Sequence, residues 1–258
     1  AGTVVFFPAL YSTQEVSDAI LTRGITSLAT VPTVVRGLLE MHGGRPSPVF
    51  DHLNFLYCAG APLAPREKIQ AVKVLCSNFI EIYASTLTGR ICFLDSADVL
   101  SHSESVGRVI AQANLQIVDS ADNEVAVGQP GLIRVRSPGT TLRLCGSGAE
   151  RQKGDRVAKG WVYTGDVGCV DAEGFLHLLG RDSEMIIRGG ENVYPAEVEA
   201  VAMQLAGVRE AVVVGFPSEQ VGEDIAVFLI ADPGVTEQAV ISHFRTDRKS
   251  TRLNSSHT

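Results

Sequence analysis

The sequence predicts an α/β segment built on a mostly parallel sheet, then an antiparallel β subdomain, then a small α+β C-terminal domain. Three observations carry that reading. Over residues 1–100, short β-prone apolar runs alternate with runs of helical period, as in a parallel sheet covered by helices. From about Val106 the chain turns to short alternating runs separated by Gly, Asp and Asn, which is the pattern of antiparallel strands. After Arg181 come a strand, a Gly-Gly turn, a helix opened by proline and two further apolar runs. The expected boundaries are 1–181 for a large domain, with an α/β part at 1–100 and a β-rich part at 101–181, and 182–246 for the small domain.

Each element has a local reason. Residues 3–7 are apolar and β-prone. Ser12-Thr13-Gln14-Glu15 has the form of a capping box and opens a helix that ends near Gly24. Residues 26–31 read as a strand, and a short helix after Pro32 carries Val34, Val35, Leu38 and Leu39 on one side. Residues 54–58 are a strand, Pro65 suits the first turn of a helix reaching about Cys76, and 79–83 are a strand again. In the β-rich part the strands are expected at 106–110, 115–118, 132–136, 162–163 and 175–179, with Asp171 to Gly174 as a hairpin loop. In the small domain 185–187 is a strand and Gly189-Gly190 a loop. Pro195 starts a helix with Val198, Val201, Ala202 and Leu205 inward and Gly207 past its end. Strands at 211–216 and 225–230 and a helix start near Thr236 complete it.

Composition excludes several functions. The chain has 258 residues, 45% hydrophobic and 20% charged, which is ordinary globular usage. Lys and Arg number 22 against 29 for Asp and Glu, so the net charge of -7 argues against a nucleic-acid or anionic-membrane surface. The longest apolar run, 225–231, suits a buried strand and not a membrane span. Cys58, Cys76, Cys92, Cys145 and Cys169 form no C-x-x-C pair and no metal-ligand spacing with His. They read as reduced thiols of a cytoplasmic protein, and no metal site is expected from them. The opening residues carry no Met and no basic leader, so the expectation is a chain cut in front of a strand and not a signal peptide. Residues 247–258 resemble the translation of a short-read sequencing adapter, a non-native tail to be set aside from the fold; on that reading the gene continues past Thr246.

Ligands of a parallel sheet bind beyond the carboxyl ends of its strands. Two loops sit at such ends: Ala59-Gly60-Ala61-Pro62-Leu63, and Ala84-Ser85-Thr86-Leu87-Thr88-Gly89. Small residues let a ligand approach the backbone, three hydroxyls can donate to phosphate oxygens, and Tyr83 offers a ring for a base to stack upon. Alone, such loops are most often plain turns.

The specific signal is a set of later motifs: Tyr163-Thr164-Gly165-Asp166, then Gly180-Arg181, then the run from Arg188-Gly189-Gly190-Glu191-Asn192-Val193-Tyr194-Pro195 to Glu199. With these in order, residues 3 to about 245 resemble the adenylate-forming (AMP-dependent synthetase/ligase) superfamily, most of all its acyl- and aryl-CoA ligase branch. The resemblance implies a partial adenylate-forming enzyme fold and a binding site for ATP and AMP. Gly60, Ala61 and Pro62 would line the adenine pocket and Tyr83 would stack on the base. Ser85 and Thr86 would serve the phosphates, Thr86 as the catalytic residue bonding a phosphate oxygen. Asp166 would accept both ribose hydroxyls, and Arg181 would contact ribose or phosphate. Gly189, Gly190, Glu191 and Asn192 would form part of a tunnel for the pantetheine of coenzyme A, and Ser183 would be the hinge between the two half-reactions. The bland readings stay open beside these: an exposed turn carboxylate at Asp166, a surface ion pair at Arg181, a hairpin turn at Gly189 to Asn192.

The implied chemistry is activation of a small-molecule carboxylic acid as its adenylate, followed by transfer to the thiol of coenzyme A or of a carrier-protein phosphopantetheine. Departures from the family pattern bear on it. The family's phosphate loop would lie before Ala1 and its catalytic lysine beyond Thr246, so the expectation is a chain truncated at both ends and inactive alone. Its Tyr-Gly-x-Thr-Glu stands here as Tyr83-Ala84-Ser85-Thr86-Leu87, and leucine has no oxygen for the Mg²⁺ that the glutamate would bind. Residues 139–160 also lack the family's Gly-Tyr pair. Two alternatives therefore accompany the coenzyme A ligase reading: an adenylation domain that loads a carrier protein, and a degenerate, non-catalytic nucleotide or acyl-AMP binder.

Overall fold

The computed structural model describes residues 11–140, 157–158 and 160–246. The strand expected at 3–7, most of the departure at 139–160 and the tail 247–258 lie outside the described residues. The chain separates into two compact units. One comprises Ala1–Asn114, Arg136–Arg143 and Glu173–His177; the other comprises Leu115–Val135, Leu144–Ala172 and Leu178–Thr258.

In the first unit Ser12 caps α1 (Thr13–Thr22) with both halves of the predicted box. Its hydroxyl accepts the Glu15 N–H at 3.2 Å, and its own N–H donates to the Glu15 carboxylate at 2.7 Å. After β1 (Ser27–Thr30), α2 (Pro32–His42) buries Val35 and Leu38, while Val34 and Leu39 pack half-buried on the same core. Next come β2 (Phe55–Ala59) and α3 (Pro65–Gln70). The helix expected to reach Cys76 ends sooner, in one π turn at Ala71–Leu75 whose last N–H, from Cys76, donates to the Ala71 carbonyl at 3.0 Å. It is followed by β3 (Phe79–Ser85).

β1, β2 and β3 pair in parallel in that order. The sheet then turns antiparallel earlier than the sequence suggests. β4 (Gly89–Asp95) folds straight back on β3, and β5 (Arg108–Val109) pairs antiparallel with β4. Between them α4 (Ser96–His102) is capped by Asp95, whose Oδ1 accepts the Ala97 and Asp98 N–H groups. Phe50, Leu53, Leu56, Leu75, Phe79 and Leu94 form the sealed centre of this core.

The second sheet holds β6 (Asn114–Val118), β7 (Gly131–Arg136), β9 (Trp161–Val170) and β10 (Leu176–Arg181) in the order β10-β9-β7-β6. The short β8 (Val157–Ala158) pairs with β9. β9 is a ten-residue strand where the sequence suggested only 162–163, because a Gly-Asp pair inside it reads as a breaker.

A third sheet, of order β12-β11-β14-β13, is built from β11 (Ile186–Arg188), β12 (Glu191–Val193), β13 (Val208–Ser218) and β14 (Gly222–Ala231). On it α5 (Pro195–Ala202) turns Val198, Val201 and Ala202 inward, while Leu205 falls beyond the end of the helix and is half-buried. Thr236 opens α6 (Glu237–Thr246), its hydroxyl accepting the Ala239 N–H at 3.2 Å. Ile186, Val193, Val198 and Val213 are the buried centre, with Ile225, Val227 and Phe244 packed against it. No helix among the described residues is long and apolar enough to cross a membrane.

One glycine in the first unit is fixed by both dihedral and space. Gly107 has φ +91, and a Cβ there would lie 1.8 Å from the Phe93 carbonyl oxygen, so β5 can approach β4 only without a side chain. Gly107→Ala is expected to cost at least about 3 kcal/mol in urea unfolding. Gly128→Ala, at φ +80 with open space, is expected to cost only about 1–2 kcal/mol. Equal losses would show that the Phe93 carbonyl is not the obstacle.

Candidate functional site

The parallel register of β2 with β3 runs from Leu56 opposite Phe79 to Ala59 opposite Ile82, so β2 ends beside Ile82 while β3 runs on three residues further, to Ser85. The two small-residue segments that the sequence singled out therefore leave the sheet at one edge. Beyond β2, Gly60 takes φ +102, which a side chain would resist, and Gly60, Ala61 and Pro62 are all exposed.

Beyond Tyr83 the chain departs from expectation. Ala84 and Ser85 still belong to β3, and Ser85 pairs with Gly89, so the segment is a tight β-hairpin with only Thr86, Leu87 and Thr88 in its turn. The Ser85 hydroxyl accepts the Leu87 N–H at 3.2 Å, and the Ser137 hydroxyl donates to the Thr88 carbonyl at 2.7 Å. These bonds hold the turn from both sides and leave Thr86 exposed at its tip, while Tyr83 is half-buried at its base.

The hairpin does not supply a metal ligand at the position where one would be wanted. Leu87 is half-buried there and offers only hydrocarbon. Among the described residues no group of three or more His, Cys, Asp or Glu side chains is arranged to hold a metal.

In the second unit a bulge sets the direction of the Asp166 carboxylate. Across β7 and β9, Leu132 faces Val167 and Arg134 faces Tyr163, so Thr164, Gly165 and Asp166 stand against Ile133 alone. Gly165 takes φ +81. The buried Thr164 hydroxyl donates to the Ile133 carbonyl at 3.3 Å and accepts the Asp166 N–H at 3.1 Å, which fixes the kink. Asp166 then meets the guanidinium of Arg181, at the end of β10, with Nε and Oδ1 2.8 Å apart. The motif expected to close a strand thus sits inside one. The Asp166 side chain is 15% exposed and that of Arg181 50%, so the carboxylate is sheltered and the cation faces outward.

Ser183 lies in the middle of a 3₁₀ turn, Asp182–Glu184, that joins the last strand of one sheet to the first strand of another. Gly189 and Gly190, at φ +60 and +86, form the two-residue turn between β11 and β12, the geometry that a tight hairpin requires. Glu191 and Asn192 follow on β12 and are exposed. All four residues assigned to the tunnel therefore lie on one hairpin.

Four charged residues near the first loop escaped the sequence reading: Arg36, Glu67, Lys68 and Glu81. Lys68 and Glu81 form an ion pair in which each residue is 3% exposed. Burial pushes the Glu81 carboxyl above the usual carboxylate range, and the Lys68 ammonium opposes that shift. The signal was present in the strand: Glu81 is two residues from the buried Phe79 and so shares its inward face.

Neither Cys58 nor Cys92 adds a nucleophile at these loops. Burial, assisted at Cys58 by Glu81, raises the Cys58 thiol to about 12, and burial alone raises Cys92 to about 12. Both thiols stay protonated at any pH well below that value. Iodoacetamide at pH 8 is expected to leave Cys58 and Cys92 unmodified in the folded chain and to label both in denaturant. Rapid labelling of either in the folded chain would contradict this account.

Comparison with known proteins shows the family. The AMP-binding enzyme family matches residues 1–144, and the AMP-binding enzyme C-terminal domain matches residues 197–252. A long-chain-fatty-acid–CoA ligase of Escherichia coli O157:H7 is 34% identical over 227 residues, covering 85% of this chain and 39% of that protein. A fatty acid–[acyl-carrier-protein] ligase, ScoC, of Streptomyces coeruleorubidus is 31% identical over 238 residues, covering 91% of this chain and 45% of that protein. Among solved structures, the amide bond synthetase McbA of Marinactinospora thermotolerans superposes with a TM-score of 0.84 at 27% identity, covering 92% of this chain and 49% of that one. The chain thus spans less than half the length of each of these relatives.

Proposed function

The chain belongs to the AMP-binding enzyme family, and on that footing we propose that it is part of a ligase that activates a carboxylic acid as its adenylate and passes the acyl group to coenzyme A. The observation that carries the reading is the bulge at Gly165, which aims Asp166 at Arg181 within the Tyr-Thr-Gly-Asp and Gly-Arg motifs. A sheltered carboxylate of this kind suits a vicinal diol, so Asp166 takes the two ribose hydroxyls of AMP, with Arg181 contacting ribose or phosphate. Gly60, Ala61 and Pro62 meet the adenine through backbone groups and Tyr83 stacks on it. Ser85 and Thr86 serve the phosphates, Thr86 from the exposed tip of its turn.

In the first half-reaction a substrate carboxylate oxygen attacks the α-phosphorus of ATP. The α–β anhydride bond breaks and pyrophosphate leaves, and the barrier is largely charge crowding, which oriented donors and cations lower. In the second, a thiol sulfur attacks the acyl carbonyl, loses its proton, and AMP departs. Gly189 to Asn192 border the pantetheine arm, and Ser183 is the pivot, with the domain boundary at 181/182. The 3₁₀ turn between two separate sheets supports that placement. Leu87 does not fit a Mg²⁺ ligand, so we assign no step to that ion; Mg²⁺ accompanying ATP would be held by phosphate and water. Scattered free cysteines support a cytoplasmic location, and the net charge of -7 argues against nucleic acid as a partner.

Two alternatives have an observation behind them. The carrier-protein ligase among the relatives favours a carrier phosphopantetheine as the acceptor, and thioester formation on coenzyme A against a carrier separates the two. Leu87 favours a nucleotide binder without catalysis, which would bind AMP yet show no carboxylate-dependent pyrophosphate exchange.

Asp166→Ala is expected to weaken AMP binding by at least about tenfold in calorimetry, as loss of a charged acceptor implies. Unchanged affinity would remove Asp166 from the ribose and take the main support of the ligase reading with it.

A further inference from the structure

The loop that follows β2 is held by charged side chains to which the reading above assigns no role. Two consecutive backbone N–H groups at its end each donate to a carboxylate: Leu63 to Glu81 Oε1 at 3.3 Å, and Ala64 to Glu67 Oε2 at 2.8 Å. From α2, Arg36 grips the same loop twice over. Its Nε donates to Glu67 Oε1 at 2.7 Å and its Nη2 to Glu67 Oε2 at 3.2 Å, while Nη2 also reaches the Pro62 carbonyl at 3.4 Å. Lys68 neutralises Glu81 from below and donates to the Ser105 carbonyl at 2.8 Å.

Hydrophobic side chains of similar volume would stabilise the core as well as the buried Lys68–Glu81 pair does, or better, and the Arg36–Glu67 pair, with the Arg36 side chain 46% exposed, adds little stability by itself, so stability alone does not account for this arrangement. What the charges supply is direction. The planar guanidinium grips the Glu67 carboxylate with two parallel donors, an arrangement with little rotational freedom. The carboxylate in turn fixes the peptide at Ala64. The loop is thereby tied at both ends, to β2 at Ala59 and to α3 at Ala64, and its middle, Gly60 to Pro62, faces solvent.

We propose that Arg36 and Glu67 are positioning residues for the base of the nucleotide: they hold Gly60 to Pro62 in the conformation that meets adenine without touching the ligand themselves. The proposal rests on the adenylate reading given above and deepens it.

The test uses the 258-residue chain with two ligands, AMP and ribose 5-phosphate, which lacks the base. Affinities are read by NMR titration, with amide hydrogen exchange at Leu63 and Ala64 followed in parallel. Arg36→Met and Glu67→Ala are each expected to weaken AMP about tenfold, to leave ribose 5-phosphate within about twofold, and to speed exchange at Ala64. Arg36→Lys, which keeps the charge but not the fork, is expected to recover only part of the loss. Should Glu67→Ala not fold, Glu67→Gln carries the test: its amide oxygen still accepts the Ala64 N–H, but it loses the charge that Arg36 grips. Unchanged AMP affinity in folded variants overturns the proposal and leaves the ligase reading standing, as does an equal loss for both ligands. Failure of the unaltered chain to bind AMP overturns both.

Discussion

The parallel pairing of β2 with β3 governs where the two small-residue segments leave the sheet of the first unit. Because Ala59 and Ile82 are register partners, whatever follows each strand must leave the sheet at the same edge. One strand is followed by a loop rich in small residues, the other by a hairpin turn with two threonines that begins three residues further along β3. That edge is the ordinary location of a ligand in an open α/β sheet, since backbone groups there have run out of partners. The hairpin into β4 sharpens the effect. A crossover helix would have carried the hydroxyls away, whereas Ser85 facing Gly89 returns the chain after three residues and leaves Thr86 at the tip.

The second unit solves a different problem: how to turn one carboxylate out of a continuous strand. A regular strand would point residues 164 and 166 to the same face. The extra residues in β9 and the positive φ of Gly165 break that alternation, and the Thr164 hydroxyl stitches the irregular backbone closed. The outcome is an Asp166 carboxylate facing the guanidinium of Arg181 on the neighbouring strand. The same economy appears at Gly189 and Gly190, where two residues of positive φ reverse the chain and set Glu191 and Asn192 on the returning strand.

Much of this was legible in the sequence wherever the signal was local. The Ser12–Glu15 box, the proline starts at Pro32, Pro65 and Pro195 and the Gly189-Gly190 turn are short-range devices, and each gave its element within a few residues. The motif positions followed from residue identity alone. Where partners lie far apart in the chain, the reading weakened. The return of β4 on β3 depends on cross-strand pairing that no window of residues contains, so the antiparallel turn was expected at 106 and comes at 89. β9 was read as two residues because Gly165 and Asp166 look like an ending when no bulge is in view. The grip of Arg36 on Glu67 spans 31 positions and left no trace beyond a glutamate at the third residue of a proline-started helix. Glu81 could have been found, since alternation from Phe79 puts its carboxylate inward.

The central claim is that the carboxylate turned out by the Gly165 bulge exists to hold a ribose. A crystal structure of the chain grown with AMP tests it most directly. The account predicts both ribose hydroxyls within hydrogen-bonding distance of the Asp166 carboxylate, with Thr164 still bonded to the Asp166 N–H. AMP bound elsewhere, or bound with its ribose away from Asp166, would contradict it.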